Sequence, residues 1–294
     1  MIKIDLHTHT IYSDGVLTPR ELMALAARKG LGALAVTDHD TLAGLGESEL
    51  AAAAYGVKFV PGIELSAMYN ETEIHLLGLF IDWREEALAN AVERWYAERC
   101  ARNVEMLARL NAAGVHINMD HLTDLMPAGN NNGLYAITRM HFARAIADAG
   151  YCPTPQKAFA EYLMPGTPTY VERRGASAEE AISVIRGAGG ISVLAHPLRY
   201  GVNARQLEHM IKELAFDGLC GLECYYSGHD LYEQQQMIRL AKKYRLCVSG
   251  GSDFHGGFDA SEPGTGYGGL FVPMSVYDSL KSFQQRLALA DNEA

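Results

Sequence analysis

Short apolar runs alternate with amphipathic stretches along most of the chain, and this alternation predicts strands that are each followed by a helix. Ile2, Ile4 and Leu6 alternate with polar residues, which is the period of a half-buried strand. The run from 32 to 40 is short and apolar until its last residues, as in a strand covered on both faces. Comparable runs occupy 57–65, 73–80, 189–197, 218–226 and 245–257.

Helix signals stand between several of these runs. Thr18 and Glu21 form a capping box around a helix start with proline, and Ser177 and Glu180 form another. Further helices are predicted at 47–55, 204–215 and 230–244. Repeated strand–helix units predict parallel pairing, and seven or eight of them favour a closed barrel over an open sheet. In such a barrel the chemistry lies at the carboxyl ends of the strands.

One segment breaks the alternation. From 83 to 114 the pattern is that of a single long helix, and helical and loop residues with little strand character continue to Gly166. We interpret the segment as an insertion that forms a small helical cap over the barrel mouth. The predicted division is a first barrel part at 1–98, the cap at 99–166 and a second barrel part at 167–294.

The composition argues against several classes of function. With 48% hydrophobic residues among 294, the chain can bury a large core without disulfides. Its 25 basic and 35 acidic residues give a net charge of −10, which argues against a membrane partner or an extended nucleic-acid duplex. The five cysteines are scattered, and neither a leader nor a membrane-spanning run is recognisable, so we expect a cytoplasmic protein with reduced thiols.

Ligand-type side chains recur where the candidate strands end. A single His-x-His pair, such as His7 and His9, is more often an ordinary pair of histidines than a metal site. Recurrence at successive strand ends reverses that balance. The full set contains imidazoles and carboxylates but no thiolate: His7, His9, Asp14, His39, Glu64, His75, His196, Asp253 and His255. Such a set suits manganese, iron or zinc, and its size suits two or three ions with a bridging carboxylate.

The motifs that carry these residues resemble the PHP (polymerase and histidinol phosphatase) domain. They are DLHTHTIYSDG, AVTDHDT, PGIELSA, the isolated His75, LAHP and GGSDFHG, on both sides of the proposed insertion. The resemblance implies an α/β fold, a distorted (β/α)7 TIM-like barrel, with a trinuclear metal centre. We expect three Mn²⁺ ions, with iron or zinc as alternatives. The resemblance implies three ligand groups: His7, His9, Glu64 and Asp253; Glu64, His75 and His196; and Asp14, His39 and His255.

The cap is similar to that of the stand-alone bacterial members of this family, which act on nucleoside 3′,5′-bisphosphates and on short 5′-phosphorylated RNA. Arg139-Met140-His141 stands where relatives carry Arg-Pro-His. The function expected first is a metal-dependent phosphomonoesterase that removes the 3′-phosphate of bisphosphates such as pAp. Two neighbouring ions can share a hydroxide, and we expect the nucleophile to be a hydroxide on the ions held by Glu64, His75, His196 and Asp253.

Further polar residues are candidates for substrate binding. Arg99, Arg102 and Asn103 interrupt the apolar stripe of the long helix, which indicates either an internal salt bridge or contacts with an anionic ligand. Arg199 lies three residues after His196, and we expect it either to bind a phosphate oxygen or to be an ordinary surface arginine. Asp40 accepts a ribose hydroxyl or a proton, or orients a neighbouring imidazole. The expected substrate-binding set is Asp40, Arg102, Asn103, Tyr135, Arg139, His141 and Arg199, in which Tyr135 stacks on a base or packs in the cap.

Two other features lie near strand ends without completing a known ligand or phosphate-binding pattern. Glu223, Tyr225 and His229 follow a strand end without matching a ligand role, and we expect them to support neighbouring ligands. Gly250-Gly251-Ser252 suggests a phosphate loop, but the lysine and spacing of such a loop are missing from the sequence around it.

Other functions stay open at this point. A 5′-to-3′ exoribonuclease on short 5′-phosphorylated RNA would use the same centre, and histidinol-phosphate phosphatase fits less well because that branch lacks the cap. A metal-stabilised binding module without turnover is the alternative of another class, which the complete ligand set disfavours. The expected partner is therefore a small phosphorylated nucleotide or a short oligonucleotide.

Overall fold

The computed structural model describes residues 2–123, 137–172, 175–256 and 261–292. The strands are β1 (Lys3–Asp5), β2 (Leu31–Val36), β3 (Lys58–Tyr69), β4 (Thr72–Leu79), β5 (Ala176–Ser177), β6 (Ile191–Leu194), β7 (Gly221–Tyr226), β8 (Cys247–Gly251) and β9 (Val272–Pro273). The helices are α1 (Pro19–Arg28), α2 (Leu45–Tyr55), α3 (Glu86–Ala112), α4 (Met119–Thr123), α5 (Arg139–Asp148), α6 (Pro155–Ala158), α7 (Ala178–Gly187), α8 (Ala204–Phe216), α9 (Leu231–Lys243) and α10 (Met274–Asn292).

The strands form a nearly closed barrel. Seven of them follow one another around its wall in the order β8, β7, β6, β4, β3, β2 and β1, while β9 pairs with β1 and β5 pairs with β3. The two ends of this path meet, because the Leu6 amide donates to the Gly250 carbonyl at 3.2 Å and the Asp253 amide donates to the His7 carbonyl at 2.9 Å. The predicted distorted, seven-stranded barrel is confirmed.

Two strands, β4 and β9, depart from the predicted parallel arrangement, and β9 pairs antiparallel with β1. β4 pairs antiparallel with both β3 and β6, so the prediction of parallel pairing throughout is wrong. The cause is local: only Asn70 and Glu71 separate β3 from β4, and a parallel crossover needs a dozen residues or more. Asn70 adopts a φ of 51°, a left-handed conformation that asparagine tolerates in tight turns. As a result, Glu64 and His75 lie within strands, whereas the sequence had suggested that they lie at strand ends.

Local sequence signals set the helix boundaries. The Thr18 hydroxyl accepts from the Glu21 amide at 3.2 Å, and the Thr18 amide donates to the Glu21 carboxylate at 2.8 Å, which confirms the first capping box. Ser177 likewise accepts from the Glu180 amide at 3.1 Å at the start of α7. Helix α2 ends at Gly56, whose φ of 70° is the left-handed conformation that terminates many helices.

The strands pack on both faces. Leu34, Val36 and Ile63 join an apolar cluster with α1, α2, α7 and α8, whereas the intervening Ala33 and Ala35 join a second cluster with α10. This alternation follows from the two-residue period of a strand. It explains why the strand sequences are nearly continuous apolar runs.

Helix α3 connects the barrel to the cap. Its first half places Leu88 and Trp95 in the barrel cluster, whereas Met106 and Leu110 join a separate cluster with Phe142 and other cap residues. The boundaries at 98/99 and 166/167 stay a prediction. Among the described residues, no helix combines the length and apolar character that a membrane crossing requires.

Candidate active site

All nine ligand-type side chains converge at the barrel mouth. Seven of them follow the carboxyl ends of β1, β2, β6 and β8, where strand extensions are tied together by the bridges Thr8–Phe254 and His39–Glu64. Glu64 and His75 reach the same place from the antiparallel pair β3–β4, on which His75 lies opposite Ser66. The β3–β4 hairpin therefore supplies from mid-strand what the other strands supply from their ends.

Glu64 lies at the centre of the cluster, fully buried. Its Oε1 atom lies 2.9 Å from Nδ1 of His75 and 3.0 Å from Nε2 of His196. Its Oε2 atom lies 3.1–3.3 Å from three other ring nitrogens: Nε2 of His7, Nε2 of His9 and Nδ1 of His39. The two oxygens thus face different sets of imidazoles, so Glu64 could serve as a ligand on both sides.

Asp253 and Asp14 complete the cluster on two sides. Oδ1 of Asp253 lies 3.3 Å from Nε2 of His7 and 3.2 Å from Nε2 of His9. Oδ1 of Asp14 lies 3.2 Å from Nε2 of His255. Ligand atoms within 4.8 Å of one another form three overlapping groups: His7, His9, Glu64 and Asp253; His9, Asp14, His39 and His255; and His39, Glu64 and His75. The first group is the one that the family resemblance implied. The second contains His9 in addition to the implied Asp14, His39 and His255, and the third contains His39 in place of the implied His196.

The donor set fits a divalent metal. Six buried nitrogen and oxygen atoms of the cluster make no hydrogen bond: Nε2 of His7, Nε2 of His9, Oδ1 of Asp14, Nδ1 of His39, Oε2 of Glu64 and Nδ1 of His196. Buried polar atoms are nearly always paired, so these six atoms require a binding partner in the space that they surround. Imidazole and carboxylate ligands without thiolates suit a first-row divalent ion such as manganese, iron or zinc.

The electrostatics of the cluster point the same way. Burial alone would lower the pKa of His9, but the carboxylates of Asp253 and Glu64 outweigh burial and raise it to about 10. For His39 burial prevails and lowers the pKa to about 3. Burial would raise the pKa of Glu64, yet the neighbouring His39 and His7 hold it well below its ordinary value. Without a cation, protons on imidazoles such as that of His9 therefore balance the carboxylate charges, and a bound metal would displace these protons.

Glu223 supports two ligands from β7. Its Oε1 atom lies 3.0 Å from Nδ1 of His7, and its Oε2 atom accepts from the backbone amide of His196 at 2.6 Å. A proton on Nδ1 of His7 leaves Nε2 with a lone pair directed at Glu64 and Asp253. His196 has a φ of 25°, a strained conformation that the bond to Glu223 holds in place. The expectation that Glu223 supports neighbouring ligands is consistent with this geometry.

Two further carboxylates, which the sequence analysis did not single out, tie the loops together. Asp38 accepts from the Thr10 amide at 2.7 Å and from the Ser13 hydroxyl at 2.7 Å, and so fixes the loop that carries Asp14. Asp5 accepts from the Ser252 amide at 2.8 Å. A signal was available in the sequence, because Asp5 in the motif DLH and Asp38 in the motif TDHD each stand one or two residues before a ligand-type histidine in an apolar run.

The glycines near the end of β8 allow the barrel to close. A Cβ atom on Gly251 would lie 2.3 Å from Cβ of His7 and 2.4 Å from its backbone nitrogen. Only glycine permits this approach. Asp253, two residues later, has a φ of 55°, and its amide donates to the His7 carbonyl. The Gly250-Gly251-Ser252 segment thus positions His7 and Asp253.

A cleft between barrel and cap opens onto the cluster and has two lobes. The arginine lobe, about 200 Å³, is lined by Asp14, His39, Ser66, Glu73, His75, Arg99, Arg102, Thr138, Arg139, Met140, Phe159, His196, Arg199, Asp253 and His255. The tyrosine lobe, about 220 Å³, is lined by Met140, Arg144, Gln156, Arg199, Tyr226, Ser252, Asp253, His255, Gly256 and Tyr267. Four residues belong to both lobes: Met140, Arg199, Asp253 and His255.

Three residues of the expected substrate-binding set line the cleft. Arg139 forms an ion pair with Glu73 at 3.1 Å and lies near the Phe159 ring. Arg199 donates to the Tyr226 hydroxyl at 2.9 Å, and that hydroxyl lies 3.1 Å from Oδ2 of Asp253. Arg102 is the third.

The other expected substrate residues lie elsewhere. Asp40 pairs with Arg99 and accepts from the Ser66 amide at 3.0 Å, so the internal salt bridge considered for Arg99 is present. The Asn103 side chain donates to the Ile137 carbonyl at 3.0 Å. None of Asp40, Asn103 and His141 lines either lobe of the described cleft. Tyr135 lies outside the described residues.

The cap touches the cluster of ligand-type side chains through the start of α5. His141 Nδ1 accepts from the Thr138 amide at 3.1 Å and closes a capping box, and burial lowers the His141 pKa to about 4. The Thr138 hydroxyl donates to Oδ2 of Asp14 at 2.9 Å. Sequence reasoning missed Thr138, although a threonine before Arg-Met-His carries the signal of a helix N-cap. Helix α5 and the cluster are therefore positioned together.

Comparison with known proteins gives a consistent result. Residues 5–161 match the model of the PHP domain. A 3′,5′-nucleoside bisphosphate phosphatase of Chromobacterium violaceum is 38% identical over 255 residues, which cover 87% of this chain and 88% of that protein. A 5′-3′ exoribonuclease of Haemophilus influenzae is 35% identical over 253 residues, 86% of this chain and 90% of that protein. A solved structure of a candidate metal-dependent phosphoesterase from Bifidobacterium adolescentis aligns over 95% of both chains, with a TM-score of 0.83 and 30% identity.

Proposed function

Because this chain belongs to the PHP domain family and is a metal-dependent phosphate-ester hydrolase, we propose that it removes the 3′-phosphate of nucleoside 3′,5′-bisphosphates such as pAp. The observation that carries the proposal is the arginine lobe. Ligand-type residues line part of this cavity, and Arg99, Arg102, Arg139 and Arg199 are among the residues that line the remainder, together with Glu73. A small molecule with two phosphates matches a cavity with a metal-binding side and a separate cationic side. The name of the Chromobacterium violaceum relative agrees with this choice.

The proposed cofactor is three Mn²⁺ ions, with iron or zinc as alternatives. The proposed ligand groups are those implied by the family: His7, His9, Glu64 and Asp253; Glu64, His75 and His196; and Asp14, His39 and His255. The six unpaired buried atoms of the cluster support a metal at this place. Glu64, His75, His196 and Asp253 would hold the ions that supply a nucleophile from water, and the bound ions would also neutralise charge on the phosphoryl oxygens.

The side chains around the cluster orient the substrate in this proposal. Arg199 is held by Tyr226 beside Asp253, and it donates to an oxygen of the scissile 3′-phosphate. Burial raises the pKa of Tyr226, so this hydroxyl keeps its proton at neutral pH and can donate to Asp253. Arg102 and Arg139, on the cap, bind the 5′-phosphate. The 5′-phosphate is remote from the reacting bond, so these contacts act by positioning.

In this proposal, Asp40, Asn103 and His141 act indirectly, by positioning other protein groups, and do not contact the substrate. Asp40 positions Arg99, and His141 and Asn103 act through the cap, since their contacts are with protein groups. Tyr135 remains a candidate for base stacking. The described cysteines are all free, which suits the cytoplasm, the location that we propose.

A phosphate-release screen with manganese tests the proposal. The substrates are pAp, the 3′- and 5′-monophosphates of adenosine, a cyclic 2′,3′-diester and histidinol phosphate. We expect the highest kcat/KM on pAp, release from the 3′ position as shown by identification of the 5′-nucleotide, and loss of activity on chelation with recovery on adding Mn²⁺. Equal rates on both monophosphates and pAp, or preference for histidinol phosphate, would contradict it. Binding of pAp without release would indicate a binding module.

A further inference from the structure

A carboxylate lies among the arginines of the arginine lobe. Glu73 belongs to β4, and its Oε2 atom lies 3.1 Å from a terminal nitrogen of Arg139. Both side chains line the lobe, and 18% of the Glu73 side chain and 19% of the Arg139 side chain are exposed. A negative charge on an arginine that is to bind a phosphate opposes the binding of that phosphate. Glu73 therefore acts on the ligand by opposing it.

Arg139 does not depend on Glu73 alone for its position. Its guanidinium lies 5.4 Å from the centre of the Phe159 ring and 5.8 Å from that of the Tyr170 ring, distances at which a cation is attracted to an aromatic face. Arg139 is also the first residue of α5, whose start is fixed by the Thr138 cap. An arginine held in this way stays in the lobe when the carboxylate is neutralised, and its charge is then available to a ligand.

Arg102, the other arginine assigned to the 5′-phosphate, belongs to the same group of charges. Burial raises the pKa of the Tyr170 hydroxyl, and the carboxylate of Glu73 raises it further. Arg139 and Arg102 lower the same pKa, so all three charged side chains lie within electrostatic range of one hydroxyl. A phosphate between the two arginines would lie close to Glu73, and like charges a few ångströms apart repel each other.

The backbone of Glu73 is fixed in the sheet. Glu73 lies opposite Met68 in the antiparallel pair β3–β4, and β4 also pairs with β6. Arg139 belongs to the cap, so the ion pair joins the two sides of the cleft. A phosphate that displaced the carboxylate from Arg139 would leave Glu73 beside the lobe, where it can form the ion pair again.

We propose that Glu73 competes with the 5′-phosphate for Arg139 and thereby weakens the binding of the nucleotide product. This inference rests on the proposed function, in which the substrate pAp and the product adenosine 5′-monophosphate (5′-AMP) carry the same 5′-phosphate. A contact with that phosphate is equally strong before and after removal of the 3′-phosphate, so it retains the product as firmly as the substrate. The competing carboxylate lets the 5′-phosphate position the substrate without producing a long-lived product complex.

Glu73→Gln tests the proposal with little change in shape. The inhibition constant of 5′-AMP against pAp, measured with the manganese-loaded enzyme, should fall about tenfold, because one negative charge near the bound phosphate is removed. The KM for pAp should fall in the same direction. For adenosine 3′-monophosphate, which has no 5′-phosphate, kcat/KM should stay within about twofold, which also shows that the variant is folded and active.

Two further variants separate competition from general repulsion. Glu71→Gln removes an exposed carboxylate from the turn of the same hairpin and should leave the inhibition constant unchanged. In the Arg139→Ala background, Glu73→Gln should change the inhibition constant by about twofold or less, since the arginine for which the carboxylate competes is gone. A tenfold change that persisted without Arg139 would contradict the proposed competition.

Calorimetry measures the same competition without turnover. The Kd of 5′-AMP should be about tenfold lower for Glu73→Gln than for the wild type, whereas adenosine, which has no phosphate, should bind both proteins equally. If the wild type hydrolyses pAp but Glu73→Gln binds 5′-AMP no more tightly, this inference is overturned and the proposed function stands. Weaker binding would mean that Glu73 orients Arg139. If the wild type releases no phosphate from pAp, the proposed function fails, and the inference fails with it.

Discussion

The two sides of the cleft are built differently. On the barrel side, Glu64 and His7 are fully buried, and a further buried carboxylate, Glu223, fixes the position of His7. On the cap side, Arg139 is partly exposed and is held by an ion pair with Glu73 and by neighbouring rings. Exposed and partly exposed ion pairs constrain a side chain weakly, whereas buried hydrogen bonds to carboxylates constrain it strongly.

This difference suggests that the barrel side carries out the hydrolysis and that the cap side determines which substrate is preferred. The barrel side accepts strained backbone at His196 and Asp253, and in the proposed function this strain serves to hold metal ligands in a fixed geometry. In the proposed function, substrate contacts need only bring opposite charges together, and the cap side carries Arg102 and Arg139, the arginines assigned to them. Changes on the barrel side should therefore abolish all activity, whereas changes on the cap side should alter the preference between substrates.

The largest effect should come from Glu64→Gln. The change removes the charge that faces imidazoles on both sides, and we expect kcat/KM to fall at least about a thousandfold on every phosphate ester tested, because several kcal/mol of metal-dependent stabilisation are at stake. Metal content by elemental analysis should fall together with activity. Glu49→Gln, a surface carboxylate paired with Arg84, is the matched control and should behave as wild type. Retention of both metal and activity in Glu64→Gln would refute the central position of this residue.

Glu223→Ala should weaken metal binding without removing a ligand. Loss of a carboxylate that orients a metal-binding histidine typically costs about 10–100-fold in metal affinity. We expect such a loss in a competition titration with a chelating dye, and a smaller one for Glu223→Gln, which keeps an acceptor oxygen for His7. The unfolding temperature of both variants in chelator shows whether the fold persists. Equal metal affinity of wild type and Glu223→Ala would mean that His7 needs no support from β7.

Arg139→Ala should change selectivity and not chemistry. A charged hydrogen bond to phosphate contributes about 1.5–3 kcal/mol, so kcat/KM on pAp should fall about tenfold or more. The value on the 3′-monophosphate, which lacks the 5′-phosphate, should stay within about twofold, and the metal content should not change. Steady-state kinetics on both substrates measure this contrast. An equal fall on both would show that the two sides of the cleft do not divide the work as proposed.

The sequence made the ligand-type residues of the cluster recognisable, because each lies within a few residues of a strand end or inside a short apolar run. Glu64 and His75 were found by residue type, although their strands form a hairpin that the two-residue connection Asn70-Glu71 should have indicated. Supporting groups were harder to find, because their partners are distant in sequence. Glu223 and His7 are 216 residues apart, and only the closed barrel brings them together. His141 is a different case, because its capping partner Thr138 is only three residues away and the local N-cap signal of that threonine was missed.

The smallest predicted effect uses pH to distinguish the two sides. In the metal-free protein His9 has a pKa raised to about 10, and that of His7 is also raised well above its ordinary value, so between pH 7 and 9 the folded state binds more protons than the unfolded state. Stability should therefore fall as pH rises through this window. His39, with a pKa lowered to about 3, adds stability that is already complete above pH 7.5, and the lowered pKa of Glu64 acts only in acid.

Thermal unfolding at pH 7, 8 and 9 measures this effect. We expect the unfolding temperature in chelator to fall by a few degrees across the series, and the gain on adding Mn²⁺ to grow, because at higher pH fewer protons compete for the nitrogens. His9→Gln should flatten the metal-free series, whereas Arg139→Ala should not, since arginine keeps its charge throughout this range. A metal-free protein whose stability did not change between pH 7 and 9 would show that the buried imidazoles share no protons, and that the barrel side resembles the cap side in this respect.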